Sequence, residues 1–257
     1  MRNFALVLAY DGTPFYGWQK SAAGPTIEGC LEEALRRLLN HPVHVQAASR
    51  TDRGVHARGQ IVNFLASKEL SLRSINALLP KEIRALHLQE MPLSFHPTLD
   101  ALGKTYLYEI CSAPVQLPHL RQTAWHLPYA LDEKSMQEGA SHLIGKQDFS
   151  SLCNMRKNLN YPDRERTLHK IHIDFLKNAY IYIRISGDHF LYKMARNIVG
   201  LLVYLGRGKI RMEEIAPLLA SKRRNQGAIT APAHGLTVEK IYYPQEIEDL
   251  LSYPDAL

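Results

Sequence analysis

The hydrophobic period of this chain switches between that of a strand and that of a helix, and it does so twice in the same order. Phe4, Leu6, Leu8 and Tyr10 alternate, which predicts a strand ending at the Asp11-Gly12 turn. Ile27, Leu31, Ala34, Leu35 and Leu38 then recur at helical spacing, with Thr26 placed to cap them. Val43 to Ala47 and Ile61 to Leu65 read as strands. A short helix follows, capped by Ser71 and stopped at Pro80, and then a strand over Ala85 to Met91. The later part repeats this order. Lys104 to Cys111 is a strand, and Asp132 caps a helix through Met136, Ala140 and Leu143, closed by Gly145. Residues 168–175 and 179–186 form a hairpin, with His169, Ile171, Ile173 and Phe175 alternating. Phe190, Met194, Ile198, Leu201, Leu202 and Leu205 stripe a helix that ends at Gly206. A further helix spans 212–221, and Gly235 to Tyr243 is a last strand. Two β-α-β-β-α-β halves predict an α+β fold of split β-α-β units, with helices on one sheet face. The junction falls in residues 93–103, giving one half over 1–98 and the other over 99–257.

The 257 residues, 46% of them apolar, are enough for a sizeable core. The formal charge of +6 is compatible with a nucleic-acid partner without establishing one. Cys30, Cys111 and Cys153 are scattered, with no CxxC spacing, as befits reduced thiols in the cytoplasm. His169 and His172 are three apart on a strand and diverge, so no metal site is expected. The opening "MRNFALVLAYDG" reads as a strand and not as a signal peptide. The apolar run in "NIVGLLVYLG" is too short to span a bilayer.

One loop stands apart from these regular elements. In "SRTDRGVHARGQIVNF", residues 49–64, Asp52 is set among Arg50, Arg53 and Arg58 just before a strand. An Asx-turn with Gly54 would explain an isolated Asp-x-Gly, but a turn needs no cations. Positive neighbours keep the carboxylate ionised and draw phosphates to the same place, the setting for a nucleophile on a phosphate-binding surface. Tyr106 and Tyr108 share a strand face in "KTYLYEI", as core residues or as a platform for a base. In "FLYKMARNIVG", Arg196 and Asn197 interrupt an apolar run. Arg196 either snorkels to solvent or meets an anion, for which Asp52 is the natural candidate. "YDGTPFYGWQ" reads as a turn with Trp18 in the core. Arg156-Lys157, Arg164, Arg166 and Lys222-Arg223-Arg224 read equally as solvated surface or phosphate contacts.

Together, "YDGTPFYGWQ", "RTDRGVHARGQ", "KTYLY", "GKQDFSSLC", "FLYKMARNIVG" and "AHGLTVEKIYY" resemble, in order, the sequence blocks of the tRNA pseudouridine synthase A family. The resemblance covers nearly the whole chain. It implies a mixed, mainly antiparallel sheet of two similar halves with helices packed on it, around a basic cleft. It implies isomerisation of uridine to pseudouridine in the tRNA anticodon stem-loop, by a cytoplasmic homodimer without metal or cofactor. Asp52 is then the nucleophile, Arg196 its ion-pair partner and Tyr106 the group stacked on the uracil. Beside these family assignments, Phe190 is expected at the substrate with Tyr106, and Arg50, Arg53 and Arg58 are expected as RNA contacts from the charge of their loop. The chain departs from the family pattern at Ser49, usually Gly, and at Arg53 and Arg58, commonly smaller or apolar. It departs again at Thr98, often Arg, which removes one RNA contact or leaves it to another residue such as Arg58. Two other readings stand beside this one: a non-catalytic tRNA-binding or folding protein, and a phosphodiesterase using Asp52. No metal-ligand cluster or His pair accompanies Asp52 to support the latter.

Overall fold

The computed structural model describes residues 1–155, 161–224 and 229–251; Arg156 and Lys157 lie outside them. The first half runs β1 (Arg2–Tyr10), α1 (Ile27–Leu39), β2 (Gln46–Ala47), β3 (His56–Ala66), α2 (Leu72–Leu78) and β4 (Ile83–Met91). Next come β5 (Gly103–Cys111), β6 (Trp125–His126), α3 (Glu133–Ser141), β7 (Gly145–Asp148), β8 (Glu165–Phe175), β9 (Tyr180–Gly187), α4 (Met194–Gly206) and α5 (Ile215–Ala220). The chain continues with β10 (Leu236–Tyr242) and α6 (Gln245–Leu251). The fold is α+β, and its strand pairing is mixed but mainly antiparallel. No described helix is long and apolar enough to cross a membrane.

Two compact units emerge, one of Met1–Lys104 with Thr237–Leu257 and one of Thr105–Leu236. The division therefore differs from a cut between residues 98 and 99. The last strand returns to the first unit because β10 pairs parallel with β3, Thr237 opposite His56 and Val238 opposite Ala57. In this unit the strand order is β4-β1-β3-β10, with β2 added on β3. Phe4, Leu6 and Leu8 of β1 are buried, as are Leu31 and Leu35 of α1 and Ile75 of α2. Thr26 and Ser71 cap their helices through side-chain oxygens, as their residue types favour. The predicted strand over Val43 to Ala47 shrinks to two ladder residues. Val43 and Val45 are buried, but pairing with β3 begins only at Gln46.

The second unit orders its strands β5-β9-β8-β7, with β6 parallel to β5. Asp132 caps α3 by accepting from Ser135 N–H at 2.7 Å. Two sequence expectations are corrected here. The alternation assigned to His169, Ile171, Ile173 and Phe175 is broken by a register shift between Leu168 and Lys170, which buries Leu168 and leaves His169 exposed. Phe190 does not stripe the helix either. Lys193 takes a left-handed φ of 60°, and α4 starts at Met194, so Phe190 sits in the connection from β9.

Candidate active site

The predicted site residues divide between the units. Asp52, Arg50, Arg53 and Arg58 belong to the first; Tyr106, Phe190 and Arg196 belong to the second.

In the first unit, Asp52 opens a tight turn. Its carbonyl accepts from Val55 N–H at 3.1 Å, and Gly54 has φ 80°. A positive φ at the third position marks a type II turn, which glycine enters at no steric cost. The main chain thus closes the turn. Asp52 is half-buried, while Arg50, Arg53 and Arg58 are exposed. The Arg53 guanidinium lies over the Tyr16 ring, 4.2 Å from its centroid. That ring rests on Gly24, where a Cβ would come within 2.5 Å of it. One cation is therefore held in place beside the carboxylate's loop.

The turn is cradled by "YDGTPFYGWQ". Trp18, 2% exposed, donates its main-chain N–H to Thr51 O at 3.0 Å. A Cβ on Gly12 would lie 2.0 Å from Val55 O, and one on Gly17 would lie 2.8 Å from Thr51 O. Gly17 also has φ 94°, a conformation that L side chains rarely adopt. Gly17→Ala is expected to lower stability by about 1–3 kcal/mol, the usual cost of such strain. Urea unfolding of the variant against the parent protein measures this.

The loop's upstream arm is tied at almost every residue. Thr98 Oγ1 donates to Ala47 O at 2.8 Å, and Lys104 Nζ donates to Ala48 O at 2.9 Å. Buried Gln60 pairs with both main-chain groups of Ser49, and the Tyr10 and Thr51 hydroxyls share a hydrogen bond of 2.9 Å. Burial pushes the Lys104 ammonium down from 10.5 to about 8. A lysine whose pKa is depressed on folding binds fewer protons folded than unfolded between those values, so stability rises with pH there. The charged ammonium costs on the order of 3 kcal/mol below pH 8. Melting of the wild type relative to Lys104→Met is therefore expected to improve from about pH 8 to 10.5, a trend that pairwise comparison isolates from other titrating groups.

In the second unit, Tyr106 is 8% exposed and meets Phe190 edge to face, ring centroids 4.9 Å apart at 80°. Tyr108 is fully buried and donates to Pro232 O at 2.8 Å, so the two tyrosines of this strand differ in environment. Burial pushes the Tyr108 phenol well above its ordinary pKa, against the opposing pull of the Arg196 charge. Arg196, half-buried in the first turn of α4, does not simply snorkel to solvent. Its Nε donates to Ala231 O at 2.7 Å, and its carbonyl accepts from Ala231 N–H at 3.1 Å. The first of these bonds holds the guanidinium at its Nε.

Asn197, wholly buried, fixes the start of α4. Its Nδ2 donates to Leu152 O at 2.7 Å and Asn154 Oδ1 at 2.8 Å, and its Oδ1 accepts from Thr230 Oγ1 at 2.7 Å. Arg224 joins through Nη2 at 3.2 Å from Asn197 Oδ1, so this cation of the Lys222-Arg223-Arg224 group is structural. Lys222 pairs with Asp148 at 3.0 Å. Among the described residues no group of three or more His, Cys, Asp or Glu is gathered as for a metal.

Sequence reasoning passed over Gly12, Gly17, Tyr10, Gln60 and Lys104. A usable signal was present for Gln60, a polar residue directly before the apolar Ile61-Val62, and for Lys104, a cation at the head of the strand sequence "KTYLYEIC".

A family model described as "tRNA pseudouridine synthase" matches residues 6–97 and 140–244, a span that takes in Asp52, Phe190 and Arg196 but not Tyr106. The chain is 48% identical over 248 residues to tRNA pseudouridine synthase A 2 of Protochlamydia amoebophila, covering 95% of each. It is 34% identical to tRNA pseudouridine synthase A of Thermodesulfovibrio yellowstonii and 37% identical to that of Geotalea daltonii. Those matches cover 95% of this chain and all of each relative. A solved Cbf5-Nop10-Gar1 complex aligns with 78% of this chain and 45% of its own at 12% identity and a TM-score of 0.38, too distant to add to these matches.

Proposed function

The chain belongs to the tRNA pseudouridine synthase A family, and from that premise we propose that it isomerises uridine to pseudouridine in the tRNA anticodon stem-loop, with Asp52 as nucleophile. The observation that carries the assignment of Asp52 is its turn: a half-buried carboxylate on a loop anchored residue by residue, with three exposed arginines around it. The reaction breaks the N1–C1′ bond, turns the uracil and joins C5 to C1′. The C5 hydrogen leaves as a proton and N1 regains one, so atoms and electrons balance without an oxidant or water. Asp52 attacks C1′ or C6, or acts through a glycal; each route needs one ionised carboxylate near the sugar.

In this reading Arg196 pairs with Asp52 and keeps its carboxylate aimed. Tyr106, braced by Phe190, stacks on the uracil, and Arg50, Arg53 and Arg58 take RNA phosphates. Extruding a paired uridine costs a few kcal/mol, which these contacts offset. We further infer a cytoplasmic homodimer, on the family's pattern. Incubating unmodified tRNA with the purified protein and a chelator, followed by nucleoside analysis, tests the activity. Pseudouridine in the anticodon stem-loop is the expected product. Intact, unmodified tRNA would refute the reading, and a cleaved chain would favour a phosphodiesterase.

A further inference from the structure

Between β2 and β3 the antiparallel register sets Gln46 opposite Asn63 and Ala47 opposite Val62. Ala48 continues it by donating its N–H to Ile61 O at 2.9 Å. The next residue in that register is Ser49, opposite Gln60. There the side chain of Gln60 takes over from the main chain. Its Oε1 accepts from Ser49 N–H at 3.1 Å, and its Nε2 donates to Ser49 O at 2.6 Å. The amide thus satisfies both main-chain groups of one residue, as a ladder partner would, while the chain peels away from the sheet. Gln60 is 0% exposed, so neither bond exchanges with water. Its Nε2 also reaches the Tyr10 hydroxyl at 3.4 Å, and that hydroxyl bonds Thr51 Oγ1 at 2.9 Å. Asp52 is the next residue.

We propose that Gln60 is a positioning residue for the isomerisation: through Ser49, and with Tyr10 through Thr51, it sets how far the Asp52 loop stands off the sheet. This rests on Asp52 being the nucleophile. A side-chain amide suits the task because it offers one donor and one acceptor at the spacing of a peptide. No shorter or purely accepting side chain does both. The distances leave little slack, and a misplacement of roughly 1 Å at a reacting group can cost about a hundredfold in rate.

Gln60→Glu is the discriminating variant, because it keeps size and shape. When protonated, its carboxyl reproduces the donor to Ser49 O. When ionised, it sets a charged oxygen against that carbonyl. Burial beside an acceptor raises the pKa of the introduced carboxyl. Single-turnover release of tritium from C5 of uracil is therefore expected to fall about a hundredfold as pH rises through that pKa, with tRNA affinity unchanged and no such fall in the wild type. A purely structural role would not restore the rate at low pH within one folded protein. Tyr10→Phe, which removes only the hydroxyl, is expected to slow the step about tenfold at unchanged affinity, and it decides the matter where Gln60→Glu does not fold. Wild-type rates across the pH range in Gln60→Glu, or in Tyr10→Phe when that variant decides, overturn the proposal, as does a rate loss fully matched by lost tRNA binding. Failure of the underlying reading has a different signature: Asp52→Asn would itself release tritium, whereas failure of the positioning role leaves Asp52→Asn inert.

Discussion

Asp52→Asn is expected to abolish release of tritium from C5 of uracil while leaving folding and tRNA affinity largely intact. The substitution is nearly isosteric, but it removes the negative charge and with it nearly all nucleophilicity. The fold should tolerate it, because the turn at this position is closed by the Asp52 carbonyl and by Gly54 at φ 80°, features an Asn retains. Asp52→Glu is expected to be almost as inactive. It keeps the charge but displaces it by one methylene, and the loop's anchors at Ala47, Ala48, Ser49 and Thr51 leave the backbone little room to compensate. A carboxylate that merely capped an Asx-turn would give the reverse order, with Asn the mildest change. Near-normal release by Asp52→Asn would sink the assignment.

On the pairing with Asp52 proposed above, Arg196→Met is expected to slow the same step by on the order of a hundredfold, about 2.7 kcal/mol of barrier. The variant also leaves Ala231 O, which sits beside a wholly buried side chain, without its donor from Nε. Some stability, about 1–3 kcal/mol, goes with that bond. Unfolding curves separate this loss from the catalytic one. Arg196→Lys keeps the charge but lacks the guanidinium whose Nε bonds Ala231 O, so only partial recovery is expected. Wild-type rates in a folded Arg196→Met protein would show that Asp52 does not depend on this cation.

What the sequence made legible was local chemistry. Thr26, Ser71 and Asp132 announce helix starts because a cap is decided within four residues. The turn at Asp52 was legible for a similar reason, since Gly54 lies two positions after it. Features decided at a distance were not. The strand expected over Val43 to Ala47 has the right burial, but its ladder with β3 begins only at Gln46, a limit set by the distant partner strand. Phe190 has helical spacing to Met194, yet spacing carries no trace of the left-handed Lys193 between them. β7, "GKQD", offers no apolar alternation at all. The glycines of "YDGTPFYGWQ" read as turn formers. What they do is admit another segment's backbone, and that requires knowing which segment comes close.

The return of β10 to the first unit also sets an order of events during synthesis. Residues 105–236 form a contiguous stretch that can complete its contacts as soon as it has left the ribosome. The first unit cannot do so, although its segment from β1 to β4 emerges earlier. β3 carries Gln60 and follows the Asp52 turn directly; β2 covers one of its edges only near Ile61–Asn63, and the same edge at His56 and Ala57 has no strand partner until Thr237 and Val238 arrive. Such an edge is a template for pairing with other chains for as long as it waits. The first unit is therefore completed only after residues 105–236 have been made, and the strand that follows the Asp52 turn waits that long for its last partner.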